Sequence, residues 1–180
     1  AAYAGDIAKY GIEKWSRIPV QVELSHEFRY RDPIITKNTL VVAISQSGET
    51  MDTLMATRFA KEQGAKVLAI CNTQGATLAR ESDAVIYTHA GPEVAVASTK
   101  ALTAQITAGY LLGLFLGQVR GAVAASELQA LGLELLKMPA RVAEVLENLD
   151  QASDLGAKMA DAKSVLFLGR NVGFPVAMEG

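Results

Sequence analysis

The sequence has few of the residues from which disulfides and metal sites are built. Its 180 residues include one cysteine, Cys71, and two histidines, His26 and His89. A single cysteine excludes an internal disulfide and fits a reducing compartment, so we expect a cytoplasmic protein. With so few cysteines and histidines, nothing in the sequence resembles a clustered metal site, and we expect neither a metal nor another cofactor.

An excess of charge of either sign is also lacking. Seventeen Lys and Arg stand against nineteen Asp and Glu, which gives a formal net charge of −2. This balance provides no basic face for nucleic acid and no polybasic anchor for a membrane, so we expect neither as a partner. One long apolar run, residues 101–117, approaches the length of a bilayer-spanning helix, but Thr103, Gln105 and Thr107 interrupt it. We interpret this run as a buried core helix.

Hydrophobic residues are abundant, and they follow an alternating pattern. They make up half of the chain, which is enough for a sizeable core. Short, near-continuous apolar runs alternate with helical patterns, which predicts a parallel sheet covered by helices on both faces. The expected fold class is therefore a doubly wound, three-layer α/β/α fold. The predicted elements are helix 3–15, strand 20–24, strand 40–44, helix 52–63, strand 66–71, helix 77–80 and strand 84–87.

Helices dominate the second half of the chain. We interpret residues 1–150 as one α/β subdomain with its connecting helices, and residues 151–180 as the beginning of a second such unit. The predicted elements here are helix 98–119, a helical stretch over 125–149 that is broken near Pro139, helix 153–160 and strand 164–169.

Four glycines recur at every fourth position of the long helix. They are Gly109, Gly113, Gly117 and Gly121. Small residues at this spacing let two helices approach closely. We predict a groove for tight packing, either in the core or at a dimer interface.

A turn of small hydroxyl residues joins strand 40–44 to the next helix. Its sequence over residues 45–50 is SQSGET. A helix start presents unpaired backbone N–H groups and a partial positive charge, and the hydroxyl groups add donors. Gly48 lacks the Cβ that would block close approach of a ligand. Because the turn has no lysine and lacks the nucleotide P-loop spacing, it predicts a small phosphorylated ligand.

A second hydroxyl-rich segment opens the long helix. Ser98 or Thr99 can cap this helix, and Lys100 places a cation in its first turn. That cation opposes the helix dipole at a cost of about a few tenths of a kcal/mol, which is understandable if an anion or a carboxylate lies nearby. A solvated lysine is an equally good interpretation. The two helix starts could hold the two ends of one sugar phosphate.

Four motifs together resemble the family of glutamine:fructose-6-phosphate aminotransferases, also called glucosamine-6-phosphate synthases. They are EFRYR at 27–31, SQSGET at 45–50, AICN at 69–72 and ASTK at 97–100. SQSGET alone would indicate only a sugar-isomerase (SIS) domain, whereas EFRYR and ASTK at these separations make the match specific. The resemblance covers essentially the whole chain. It implies a SIS-type fold in the isomerase part of an enzyme that makes glucosamine 6-phosphate from fructose 6-phosphate, with ammonia from glutamine.

The resemblance also implies which residues contact the substrate. Those that would hold the sugar phosphate are Ser45, Gln46, Ser47 and Thr50, with Ser47 and Thr50 nearest the phosphate oxygens. Those that would line the sugar side are Val96, Ala97 and Ser98, with Lys100 at the edge of the pocket. We expect a homodimer that binds fructose 6-phosphate or glucosamine 6-phosphate.

No catalytic residue is expected in this chain. In the resembled family the isomerising Glu, the ring-opening His and the Schiff-base Lys would follow Gly180, and the glutaminase domain would lie outside the chain. His26 and His89 match no catalytic position of the family, and we interpret them as surface or structural histidines.

Two alternatives remain at the level of sequence. One is a non-catalytic SIS sensor of sugar phosphates, which normally carries a DNA-binding helix-turn-helix; the chain shows no basic recognition helix. The other is a simple sugar-phosphate isomerase of the same fold, against which EFRYR and ASTK count.

Overall fold

In the computed structural model, which describes residues 1–94 and 98–180, helices precede, separate and follow three strands. The strands are β1 (Leu40–Ser45), β2 (Lys66–Cys71) and β3 (Ala84–Tyr87). The helices are α1 (Ala2–Ser16), α2 (Ser25–Phe28), α3 (Met51–Glu62), α4 (Thr77–Glu81), α5 (Lys100–Val119), α6 (Ala125–Leu136), α7 (Met138–Glu147), α8 (Asp150–Lys158) and α9 (Gly173–Glu179). The predicted helices lie within a few residues of these bounds, and the break predicted near Pro139 falls between α6 and α7.

The three strands form one parallel sheet in the order β1-β2-β3. The register pairs Ser45 with Cys71 and Cys71 with Tyr87, so the last residues of the three strands are aligned. The loops that follow the strands therefore start at one common edge of the sheet. In open α/β sheets, ligands bind at this carboxyl edge.

The two faces of the sheet are covered by different helices, which confirms the three-layer fold. On one face, Leu68 packs with Ile12 of α1 and Leu112 of α5. On the other face, Ala69 packs with Leu54 of α3 and Leu78 of α4. Because successive side chains of a strand point to opposite faces, a central strand buried on both sides must be apolar throughout. β2 follows this pattern, since every residue after Lys66 is buried.

The glycines of α5 form the contact with α1. An added Cβ at Gly109 would lie 2.5 Å from the Cβ of Ala8, and one at Gly113 would lie 3.2 Å from the backbone of Ile12. Gly117 is equally confined, 2.9 Å from the carbonyl oxygen of Trp15. These three positions confirm the packing groove within the core. Gly121 has a different role: with φ of 62° it ends the helix in a left-handed turn.

Two predicted strands were wrong. Residues 20–24 form no strand and instead lie against α1, where Val20 N donates to the Glu13 carboxylate at 2.9 Å. Residues 164–169 also form no strand. A strand is stabilised by a neighbouring strand, and no described residue pairs with this segment. The division into 1–150 and 151–180 stays a prediction.

Helix α5 is long and apolar enough to cross a membrane by length and composition alone. Its buried residues, from Ala101 to Gly117, instead face the sheet and α1, as predicted for a core helix. The helices α6, α7 and α8 differ, since they have no buried residue and expose apolar side chains such as Leu136, Val145 and Leu155.

Candidate functional site

The 45–50 turn, which follows directly from β1, is held by its own first hydroxyl group. Ser45 is 5% exposed, and its Oγ accepts a hydrogen bond from Gly48 N at 2.9 Å. Ser47 lies on the surface, where its Oγ accepts a longer bond from Glu49 N at 3.3 Å. Thr50 is also exposed. Ser45 therefore shapes the turn, whereas Ser47 and Thr50 lie at the surface beyond the strand end.

Gly48 is required by the protein's own packing. Its φ is 69°, and an added Cβ would lie 2.7 Å from both Cys71 Sγ and Ala76 Cβ. Such distances are too short for real carbon contacts, and L-residues avoid this backbone conformation. The predicted reason for a glycine here, close approach of a ligand, is thus incomplete, because the turn is packed against the end of β2. Cys71 is fully buried, and burial raises the pKa of its thiol.

Glu49 connects the same turn to the start of α4, the helix that follows β2. Its carboxylate accepts a hydrogen bond from Thr77 N at 2.8 Å, at the start of α4. This bond is the main cause of the lowered pKa of Glu49. Sequence analysis assigned Glu49 no role. Its partner lies 28 residues away in the chain, so no local pattern could have revealed the contact.

The start of α3 is open. Thr50 is the residue at its N-cap, and among residues 1–94 and 98–180 no side chain caps it. The first backbone N–H groups of an uncapped helix lack intrahelical partners and carry a partial positive charge. Ser47 and Thr50 add hydroxyl groups at the same place. The arrangement can therefore bind an anion through backbone and hydroxyl donors.

A cavity of ≈ 540 Å³ opens at the carboxyl edge of the sheet. The loops that follow all three strands contribute to its lining, with Gln46 after β1, Asn72 after β2, and His89 and Glu93 after β3. This volume falls within the range of small-molecule sites, about 300–1,000 Å³. The cavity thus extends from the 45–50 turn to the segment that precedes α5.

Asn72 connects the loops on the two sides of this cavity. Its Oδ1 accepts hydrogen bonds from Thr88 Oγ1 at 3.0 Å and from Ala90 N at 2.8 Å, and its Nδ2 donates to the Gly91 carbonyl at 2.7 Å. The backbone N–H of Asn72 donates to the Gln46 carbonyl at 3.3 Å. The AICN motif therefore ends in a residue that fixes the loop after β3 to the 45–50 turn.

Glu93 caps α5 although it precedes the helix by seven residues in the sequence. Its carboxylate accepts hydrogen bonds from Ala101 N at 3.1 Å, from Thr99 N at 3.2 Å and from Thr99 Oγ1 at 3.1 Å. The bond from Ala101 is the main cause of its lowered pKa, and the charge of Lys100 lowers it further. The prediction that Ser98 or Thr99 caps this helix was wrong, because Thr99 makes no capping bond and donates to Glu93 instead. Lys100 does have the predicted carboxylate beside it.

The predicted contact residues lie along one edge of the structure, as far as they are described. Gln46 lines the cavity, whereas Ser47 and Thr50 belong to the same turn but are not among the lining residues. Ser98 is half-buried and Lys100 is exposed, both at the start of α5. Two of the predicted residues, Val96 and Ala97, lie outside the described residues.

A parallel sheet between two helical layers, with polar loops converging at its carboxyl edge, defines the class of open α/β ligand-binding domains. The SIS domain family model matches residues 1–114. The chain belongs to the SIS domain family.

The relatives agree with the resemblance seen in the motifs. The chain is 66% identical over its whole length to glutamine–fructose-6-phosphate aminotransferases (isomerizing) from Corynebacterium efficiens and Corynebacterium glutamicum. It spans only 29% of the length of these relatives. Among solved structures, it is similar to the C-terminal domain of glucosamine-fructose-6-phosphate aminotransferase from Francisella tularensis, with a TM-score of 0.96 and 37% identity. That match covers 99% of this chain and 51% of the other.

Proposed function

We propose that the chain is the sugar-phosphate-binding part of the isomerase region of a glutamine–fructose-6-phosphate aminotransferase. The observation that carries this proposal is the open start of α3 beside the exposed Ser47 and Thr50, in a turn whose Gln46 lines a cavity of ≈ 540 Å³. The identity to aminotransferases over the whole chain favours this function over a sensor or a simple isomerase.

The difference between the two helix starts supports one orientation of the substrate. The phosphate of fructose 6-phosphate is placed at the 45–50 turn, because the start of α3 has no capping side chain among the described residues. The sugar is placed toward α5, whose start is already occupied by the carboxylate of Glu93. Val96, Ala97 and Ser98 then line the sugar, and Lys100 lies at the edge of the pocket.

The chemistry of the whole protein is part of the same proposal. Transfer of ammonia to fructose 6-phosphate and isomerisation to glucosamine 6-phosphate require two kinds of group. A base removes a proton from the carbon next to the carbonyl, and a lysine amine forms a Schiff base with the sugar. Within this chain we assign binding and orientation of the substrate, and no proton transfer. We also propose a cytoplasmic homodimer; the exposed Leu111, Phe115 and Val119, spaced by four residues along α5, give it an apolar outer face.

Calorimetric titration of the chain tests the proposal. Fructose 6-phosphate should bind, fructose should not, and inorganic phosphate should bind more weakly. Ser47→Ala should weaken binding roughly tenfold to a hundredfold, which corresponds to a lost hydrogen bond to a charged group, about 1.5–3 kcal/mol. Ser126→Ala, on the exposed surface of α6, is the matched control and should change nothing. A folded chain that does not bind fructose 6-phosphate, or an unaffected Ser47→Ala, would contradict the assignment.

A further inference from the structure

The starts of α3 and α5 differ in whether a carboxylate of the protein occupies them. The start of α3 has no capping side chain in the described part of the chain. At the start of α5, the Glu93 carboxylate accepts bonds from Thr99 N, Ala101 N and Thr99 Oγ1 at 3.1–3.2 Å. Two of the backbone donors at the start of α5 are therefore already used by a carboxylate of the protein itself.

Glu93 also lines the cavity that starts at the 45–50 turn. Gln46 borders this cavity on the β1 side, and Glu93 borders it beyond β3. Among the lining residues that the structure describes, Glu93 is the one carboxylate. Because Gln46 of the 45–50 turn and Glu93 line the same cavity, a ligand whose phosphate is held at this turn can extend across the cavity toward Glu93.

A second phosphate at that end would meet two obstacles. It would lie beside the carboxylate of Glu93, and like charges repel each other. It would also find the backbone N–H groups of Thr99 and Ala101 engaged. Lys100 offsets part of the charge of Glu93 but does not release these donors. An uncharged hydroxyl group meets neither obstacle.

We propose that Glu93 determines specificity by admitting the uncharged end of a sugar monophosphate and rejecting a sugar that carries a phosphate at both ends. The proposal rests on the proposed function, because it takes the phosphate of the substrate to be bound at the 45–50 turn. Glu93 acts here through its charge, beyond its contribution to capping α5.

The experiment compares the affinities of the chain for fructose 6-phosphate and fructose 1,6-bisphosphate. The variant is Glu93→Gln, which keeps a carbonyl oxygen for the N–H of Ala101 but removes the charge. The matched control is Asp83→Asn, because Asp83 also accepts a backbone N–H, that of Val67 at 2.9 Å, but near the amino end of β2. It removes one negative charge at the opposite edge of the sheet.

The unchanged chain should prefer the monophosphate by at least about tenfold. Glu93→Gln should reduce this preference by about tenfold while the monophosphate affinity stays within about threefold. Asp83→Asn should leave the preference unchanged. A merely structural role of Glu93 would weaken both ligands together and leave their ratio alone.

Three results would overturn the proposal. The first is equal affinity of the unchanged chain for both ligands, and the second is an unaltered preference in a folded Glu93→Gln variant. If that variant does not fold, Lys100→Gln replaces it. Loss of this cation, which offsets the charge of Glu93, should increase the preference for the monophosphate over the bisphosphate. An unchanged preference in Lys100→Gln would refute the role of charge. The third is failure of a folded chain to bind fructose 6-phosphate at all, which would refute the proposed function as well. In the first two cases fructose 6-phosphate still binds, so the proposed function stands.

Discussion

Replacing Gly48 by alanine tests the claim that the 45–50 turn is fixed by packing against β2. The added Cβ would lie 2.7 Å from Cys71 Sγ and from Ala76 Cβ, and the backbone φ of 69° is unfavourable for alanine. The left-handed conformation costs about 1–2 kcal/mol, and overpacking a buried site costs about 1–3 kcal/mol. Gly48→Ala should therefore lower the free energy of unfolding by about 2–5 kcal/mol.

Gly75 provides the matched control. Its φ is 72°, almost that of Gly48, but an added Cβ there would meet no atom within 4 Å. Gly75→Ala should thus pay only the conformational cost, about 1–2 kcal/mol. The difference between the two variants isolates the contact with Cys71 and Ala76.

Urea unfolding followed by circular dichroism measures both variants. Cys71→Ala in the Gly48→Ala background should recover part of the difference, because it removes the sulfur atom and leaves the backbone conformation as it was. If Gly48→Ala and Gly75→Ala lose equal stability, or if Cys71→Ala recovers none of it, the packing explanation of Gly48 is wrong.

Two further predictions concern the contacts that hold the loops. Asn72→Ala removes three hydrogen bonds to Thr88, Ala90 and Gly91; it should cost about 1–3 kcal/mol and accelerate amide hydrogen exchange after β3. Retained protection in that loop would contradict the role of Asn72. The pKa of Glu49 in the folded chain is lowered, chiefly by the hydrogen bond from Thr77 N. The ionised carboxylate therefore stabilises the fold above the ordinary glutamate pKa of about 4.3. This stabilisation is lost as the pH falls through the pKa of Glu49 in the folded chain. Glu49→Gln should accordingly flatten the acid limb of the pH–stability curve relative to the unchanged chain, and an identical acid limb would show that the bond contributes nothing.

The sheet was predictable from the sequence because its strands are short apolar runs, of which the central one, β2, is buried on both faces. Runs such as those of β1 and β2 can be apolar throughout only where helices cover both sides, and they were located within a residue. Residues 20–24 have the alternating apolar and polar residues of a strand, but no neighbouring strand pairs with them among the described residues. Periodicity describes which side chains are buried, and a chain lying against α1 can bury alternate residues as a strand does. The segment 164–169 fails for a different reason: it is an apolar run that is exposed at every residue and has no strand partner among the described residues.

The polar contacts of the site could not be predicted in the same way. Glu49 and Thr77 are 28 residues apart, and Asn72 and Ala90 are 18 apart. These pairs meet because the register aligns the ends of β1, β2 and β3, so that their loops share one edge. The sequence showed which residues could form hydrogen bonds but not which loops would be neighbours. Glu93 was missed for a related reason, since it caps a helix that begins seven positions later.

The contacts divide five residues of the SQSGET motif into two sets. Ser45, Gly48 and Glu49 are engaged by the protein itself, through a hydrogen bond within the turn, a close contact with β2 and a bond to the start of α4. Ser47 and Thr50 lie on the surface of the turn. Substitutions in the first set should therefore weaken binding by destabilising the fold. The loss of affinity should then increase with the loss of free energy of unfolding. Substitutions in the second set should change binding with little loss of stability, because few contacts of the fold depend on them. A motif match alone indicates the turn, and it is the exposed pair that carries the inference of a bound phosphate.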